Sequence, residues 1–397
     1  MTSAVAYPAL LPRLRDEWAL TNSGAGFISG SFFAGYMLAV PILTSLTDRL
    51  DARRIYLFAT LLSAAGAAGF GQFANGQISG AVFQALAGAG LAGTYMPGLK
   101  ILSDQIDARA ESRHIAFYTS SFGVGSSLSI LAAGALAASV GWRAAFLLLA
   151  LGPIAAGALV LNAVPARAPA APRGAPRPRL LDVRGVLANT EVRNYIIAYA
   201  AHCFELFGLR SWMVAFFAFS ATLHAAASPQ PLSATAAVGA INLLGPVASI
   251  LGNELAARAG RRRTIVRIMI ASALAALAIG FTAPLPWTAV FLLMVIYFFL
   301  VMADSAALTA GVISVAAPER RGASLALHSF LGFGAAFIAP MIFGAVLDAA
   351  GGGTRPLAWG LAFAALGLGA SVGAIALALS ERRARGEGKT RTVATPG

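Results

Sequence analysis

The sequence is poor in charge and holds almost no cysteine. Only 11% of its 397 residues are charged, less than half of the ~25% usual in a soluble globular protein. That deficit excludes soluble enzymes, fibrous proteins and disordered chains. The single cysteine, Cys203, excludes an internal disulfide and any cysteine-based metal cluster. What is present is apolar: 58% of the residues, enough for about eleven or twelve membrane spans at roughly 20 residues each. This is the composition of an all-α, polytopic membrane protein.

Apolar stretches of helix length recur along the chain, broken by short polar or Gly/Pro punctuation. Spans are expected at 25–46, 55–73, 77–101, 115–139, 143–163, 193–221, 234–256, 264–283, 286–310, 322–347 and 357–380. Residues 1–12 are apolar but too short to cross ~30 Å of hydrocarbon, and they lack the basic flank of a signal peptide. One connecting segment is long. Residues 164–192 open as an Ala/Pro/Arg-rich tract, a composition that favours an extended linker, and end in a more helical, amphipathic piece. The expected organisation is an N-terminal bundle (1–163), a linker (164–192), a C-terminal bundle (193–380) and a frayed polar tail (381–397).

Charge placement sets the expected orientation. Alternate loops, the linker and the tail carry 24 of the 29 basic residues, so the positive-inside rule puts that side in the cytoplasm. The net charge of +13 therefore reports topology and contact with anionic lipid headgroups rather than nucleic acid. A bacterial inner membrane is the expected location, with linker and C-terminus cytoplasmic.

The chain aligns on itself at an offset of 209 residues. TSLTDRLDARR (Thr44–Arg54) faces NELAARAGRRR (Asn253–Arg263), and AFYTSSFGVG (Ala116–Gly125) faces LALHSFLGFG (Leu325–Gly334). Ser120 then matches Ser329, and Gly123 and Gly125 match Gly332 and Gly334. Parallel repeats of this kind place a substrate site near the midplane between the halves.

With this repeat the sequence resembles the major facilitator superfamily of secondary transporters over its whole length. The most specific element is the basic loop after the second span, whose family pattern is G-x-x-x-D-R-x-G-R-R. Asp48, Arg49 and Arg53 fit it, while Thr44 and Asp51 replace its glycines. In the second copy Arg258, Gly260, Arg261 and Arg262 fit, and Ala257 replaces the acid. GWRAAF (Gly141–Phe146) is similar to the family's entry to its sixth span. The resemblance implies two six-helix bundles, alternating access, and a gating role for Asp48, Arg49, Arg53, Arg258, Gly260 and Arg261. An anchor obeying the positive-inside rule explains the arginines alone but not Asp48. The fifth span, LAAGALAASVG (Leu131–Gly141), lacks the Gly-Pro step usual in proton-antiporting exporters. At the offset of 209 Met1 matches mid-span Arg210, so the first helix reads as truncated. The expectation is an upstream start codon or a truncated product that folds or works poorly.

Several motifs have plain readings. GAGLAG (Gly88–Gly93) matches a dinucleotide fingerprint but lies inside an apolar span, where small residues serve helix packing. His114 and His224 read as solvated loop histidines. Gly245-Pro246 and Pro340 mark kinks or local unwinding. Trp18, Trp142, Trp287 and Trp359 fall where an aromatic belt would lie.

Ionisable groups inside spans are costly in hydrocarbon and by default mark function. Glu205 and Arg210 lie in AHCFELFGLRSW, and Asp304 lies in VMADSAALTAG. His202, Glu205, Leu209 and Trp212 form one stripe at 100° per residue, and Arg210 lies off it. His328 and Ser329 are nearer a membrane end, and Tyr95 in TYMPG (Thr94–Gly98) is the repeat counterpart of Asp304. The candidate substrate and proton site is thus Glu205, Asp304, Arg210, His202, Trp212, Tyr95, His328 and Ser329. A structural ion pair between helices is the plainer alternative. By the resemblance the first, fourth, seventh and tenth spans line the cavity, with Glu205 and Arg210 on the seventh, Asp304 on the tenth and Tyr95 on the matching wall of the first half. Glu205 is expected to carry protons with Asp304 as a second titrating group, His202 to relay to or bond Glu205, and Arg210 to oppose ionic loss or bind an anionic substrate.

The expected function is proton-coupled symport of a small solute by a monomer, with no cofactor and no metal. Export of drugs or metabolites is the alternative within the class. A non-transporting sensor would carry a soluble output domain, and an enzyme a catalytic cluster near one interface; the sequence offers neither.

Overall fold

The computed structural model describes residues 1–47, 49–103, 111–166, 183–224 and 230–393, and side chains outside 103–117, 119–120 and 380–393. Among the described residues there is helix and no strand. In lipid every backbone polar group must be satisfied within the segment, which helices achieve. The order is α1 (Ala6–Glu17), α2 (Asn22–Leu46), α3 (Ala52–Phe73), α4 (Gln77–Ser103), α5 (Glu111–Val140), α6 (Trp142–Leu149), α7 (Leu151–Ala163), α8 (Val183–Ala188), α9 (Thr190–Thr222), α10 (Ala234–Asn242), α11 (Gly245–Ala259), α12 (Arg261–Ile279), α13 (Trp287–Ala303), α14 (Ser305–Val315), α15 (Arg321–Ala349) and α16 (Pro356–Val393). Ten helical segments are long and apolar enough to cross a membrane. The glycine-rich α4, expected as one further span, is 27 residues long but is not among them.

Polar caps start the spans. Thr21 accepts from the Gly24 amide at 3.0 Å and Ser233 from the Ala236 amide at 3.2 Å. Asn189 accepts from Glu191 and Val192, satisfying amides that have no partner inside α9. Asp51, where the family pattern has glycine, caps α3 through the Arg53 amide at 2.9 Å. Gly260 takes φ +93° between α11 and α12, a conformation that glycine adopts without Cβ strain.

Three spans are broken within. The expected interruption at Gly245-Pro246 is present, since α10 ends at Asn242 and α11 starts at Gly245. Pro340, by contrast, sits inside an unbroken α15. A break at Ala150 divides α6 from α7, and one at Asp304 divides α13 from α14. Of the tail expected at 381–397, residues as far as Val393 continue α16, and residues 394–397 lie outside the described residues. Residues 167–182 of the linker lie outside the described residues, and its last part forms α8.

The aromatic-belt expectation does not hold for three of its tryptophans. Trp142, Trp287 and Trp359 are 3%, 8% and 1% exposed. Trp142 donates to the Glu17 carboxylate and Trp359 to the Gly353 carbonyl, so their polar N–H groups are satisfied by protein rather than headgroups. His224 is not simply solvated either. Its Nδ1 and Nε2 lie 3.1 and 3.0 Å from the Ser220 and Pro284 carbonyls. His114 has no described side chain.

The short helix α1 is buried against α2, α5 and α9, with Tyr7, Leu11 and Leu14 fully enclosed. Helices of the first half of the sequence meet those of the second chiefly through α2 with α15, and further through α5 with α10 and α1 with α9. Gly26 and Gly30 of α2 abut the backbone of Pro340 and Phe337, and Gly239 of α10 abuts Leu131 of α5. Gly30 and Gly239 are separated by the repeat offset of 209, so the internal repeat relates the two contacts. Both lie at the helix ends remote from the arginine-rich loops. GAGLAG also serves packing: Gly88 meets the Phe32 backbone and Gly90 meets Ser63.

Candidate functional site

Helix α9 is buried on nearly every side, and the ionisable candidates radiate from it. Glu205 is 2% exposed. Its Oε2 accepts from Ser272 of α12 at 3.0 Å and its Oε1 from Tyr297 of α13 at 3.1 Å. Among the described residues it makes no ion pair. The Ser272 hydroxyl also lies 3.1 Å from the Met269 carbonyl.

His202 does not serve Glu205 as expected. It pairs with Asp304, Nδ1 to Oδ1 at 2.7 Å, with both side chains almost wholly buried. Neither atom has another polar partner among the described residues. Asp304 stands at the break where α13 ends and α14 begins, and its side chain makes no cap hydrogen bond to α14. His328 lies beyond this pair. Its Nε2 is 3.3 Å from Thr309 Oγ1, and its ring stacks on Tyr199 at 3.6 Å and 17°. Tyr199 in turn stacks on His202 at 5.9 Å.

Arg210 stands apart from both acids, as its position off the stripe implies. It is 7% exposed, and its Nε has no hydrogen-bond partner among the described residues. Nη2 is 3.9 Å from Met302 Sδ, and the guanidinium lies 5.6 Å from the Phe298 ring centroid and 5.9 Å from that of Phe207.

The other candidates are dispersed. Trp212 is fully buried, donates to the Pro340 carbonyl at 3.0 Å and stacks on Phe343 at 5.2 Å. Ser329 is half-buried. Tyr95 lies with Tyr56, Thr94, Tyr118 and Ser121 around a cavity of about 150 Å³ that also borders Met1. The Tyr118 hydroxyl bridges to the Tyr95 and Thr94 carbonyls at 2.8 and 3.2 Å. None of the ionisable candidates lines this cavity. Where α2, α9 and α15 meet, Phe33 packs on Phe207 at 4.4 Å and Tyr36 on Phe333 at 4.3 Å.

Of the gating candidates, Asp48 lies outside the described residues. Arg49 is exposed, and Arg53 donates to the Leu161 carbonyl at 2.5 Å. Arg258 pairs with Glu254 at 3.5 Å, Gly260 forms the turn, and Arg261 begins α12. Arg262 reaches Glu191 in the first turn of α9 at 2.7 Å. The sequence reading missed Ser272, Tyr297, Tyr199 and Thr309. Isolated polar residues within apolar spans were the available signal, but which helix faces α9 is a matter of packing.

These are the features of a polytopic membrane transporter: a helical bundle built from repeats, with buried acids, a histidine pair and an unpaired arginine. The profile of the Major Facilitator Superfamily matches residues 1–340, and the chain belongs to that family of transporters. Among curated proteins, the niacin transporter NiaP of Acinetobacter baylyi is 27% identical over 147 residues, which is 37% of this chain. The matched stretch spans about a third (33%) of that relative's length. Among solved structures, a bacterial homolog of the human lysosomal transporter Spinster, inward-facing and unoccupied, superposes with a TM-score of 0.71 at 17% identity, covering 95% of this chain and 92% of the other. The nucleoside transporter NupG superposes with a TM-score of 0.70 at 14% identity, covering 95% and 97%.

Proposed function

We propose that this chain is a secondary active transporter that moves a small solute by alternating access, coupled to protons through Glu205 and, secondly, Asp304. Its setting in this reading is the bacterial inner membrane, with the arginine-rich loops cytoplasmic and residues 1–163 and 193–380 acting as the two moving bundles. The named transporters similar to it support a small solute as cargo. The repeat-related contacts of α2 with α15 and α5 with α10 support alternating access, because one motion can release both.

The observation that carries proton coupling is the surroundings of Glu205. As a carboxylate it accepts from both Ser272 and Tyr297. When protonated it can donate to Ser272 Oγ, whose own proton then turns to the Met269 carbonyl 3.1 Å away, while Tyr297 still donates. Neither state leaves a buried polar group unsatisfied, and an unsatisfied group would cost about 1–3 kcal/mol. A structural carboxylate would be expected beside a fixed cation, and none pairs with it among the described residues. Symport is favoured over export by the unbroken α5, which carries no proline at its end or at Gly141 just beyond it.

The test is Glu205→Gln in proteoliposomes, with a solute first found by thermal shift, since a ligand binding only the folded state raises its stability. The variant should abolish pH-driven accumulation and leave passive exchange measurable. Accumulation against a gradient with unchanged pH dependence would make Glu205 a structural partner, and Asp304 the next residue to replace.

A further inference from the structure

We infer that Arg210 is the anion-binding group of the transport site, and that the site takes a small organic carboxylate with an apolar or aromatic body. This rests on the transporter reading above and adds the chemistry of the cargo. A cation enclosed in a bundle loses its hydration, and proteins ordinarily answer that loss with a buried acid or with carbonyl acceptors. Arg210 is 7% exposed, has no acidic partner among the described residues, and its Nε has no acceptor. The two nearby acids are already committed elsewhere, Glu205 to Ser272 and Tyr297 and Asp304 to His202. The compensating anion is therefore one that the described residues do not supply.

The surroundings describe the rest of the ligand. Phe207 and Phe298 lie on the guanidinium, and among the described residues its near polar neighbours are sulfur groups, Met302 Sδ at 3.9 Å and the buried Cys203 thiol. These apolar groups suit a hydrocarbon or ring attached to the anionic head. Gly245, at the α10–α11 break, presents no side chain where its Cβ would stand 3.8 Å from Arg210 Nη2. The planar guanidinium fork matches a carboxylate in two parallel hydrogen bonds, a geometry that a lysine ammonium does not reproduce.

The experiment measures binding by the purified full chain in nanodiscs. The probes are benzoate and hexanoate, with benzamide and hexanamide as neutral counterparts. Either carboxylate should raise the thermal midpoint of the wild type, and its amide should not. Arg210→Met should raise the Kd for the carboxylate about tenfold or more, and Arg210→Lys should recover part of the loss. Without ligand, Arg210→Met should melt at or above the wild-type temperature, because it replaces an uncompensated buried charge by an apolar chain. The inference is overturned if neither carboxylate binds, if the amides bind equally, or if Arg210→Met retains the affinity. It is also overturned if unliganded Arg210→Met melts lower or does not fold, since Arg210 then has a structural partner. Failure of the transport reading shows separately: carboxylate binding would depend on Arg210, yet Glu205→Gln and wild type alike would move nothing across the bilayer.

Discussion

Asp348, in the last turn of α15, receives all the donors that Asn22 and Ser23 present at the start of α2. Oδ1 accepts from the Asn22 amide and Nδ2 at 2.9 and 2.8 Å, and Oδ2 accepts from the Ser23 amide and Oγ at 2.8 and 2.7 Å. The two backbone amides are among those a helix start leaves without a partner. The clasp joins helices from opposite halves of the sequence, on the side away from the arginine-rich loops. Its repeat counterpart is absent, because Ser139 stands where the offset of 209 would require the acid. Asp348→Ala is expected to lower stability by about 1 kcal/mol, near the low end for a lost network because water reaches this half-buried site. Thermal unfolding of the purified protein reads this, and an unchanged midpoint would show that the clasp contributes nothing.

The contact below the clasp depends on small residues. A Cβ on Gly30 would meet the Phe337 carbonyl at sub-contact distance, and Gly26 faces Pro340 in the same way. Gly30→Val is therefore expected to force α2 from α15 at a cost of about 1–3 kcal/mol. Its signature is easier cross-membrane access on that side, read as faster labelling of cysteines placed along α2. Labelling at the wild-type rate, with wild-type stability, would show that the helices yield without cost.

The His202–Asp304 pair gives a double-mutant cycle. Removing one partner of a buried hydrogen-bonded pair leaves the other unsatisfied at a cost of about 1–3 kcal/mol, while replacing both by apolar residues costs far less. Asp304→Leu alone should destabilise more than the combination of His202→Leu with Asp304→Leu. Additive effects in urea unfolding would mean that the 2.7 Å approach carries no coupling.

The proposed orientation is open to impermeant thiol reagents. Cys203, the native cysteine, is 1% exposed and should stay silent in intact cells. A cysteine at Thr354, in the exposed turn after α15, should react there, whereas one at Ala257 should react only in inverted vesicles. The opposite pattern would reverse the topology, and with it the side that the clasp closes.

Membrane insertion is a local, residue-by-residue transfer cost, so composition and the spacing of apolar runs were enough to show a polytopic helical protein. The repeat could be read from residues such as Gly123 and Gly332, because packing demands recur where a fold is duplicated. The ionisable residues of the candidate site could be picked out too, because a charge in an apolar run is costly wherever it later points. Their partners could not. Helix α9 is buried almost all round, so no apolar stripe marked one face, and helical geometry alone suggested that His202 served Glu205. Tertiary packing decided otherwise. It brings Ser272 and Tyr297, 67 and 92 residues away, to Glu205, and Asp304 to His202. It likewise closes the 326-residue separation between Asn22 and Asp348. Such contacts depend on which helices become neighbours and at what depth, a property of the whole bundle that no single span encodes.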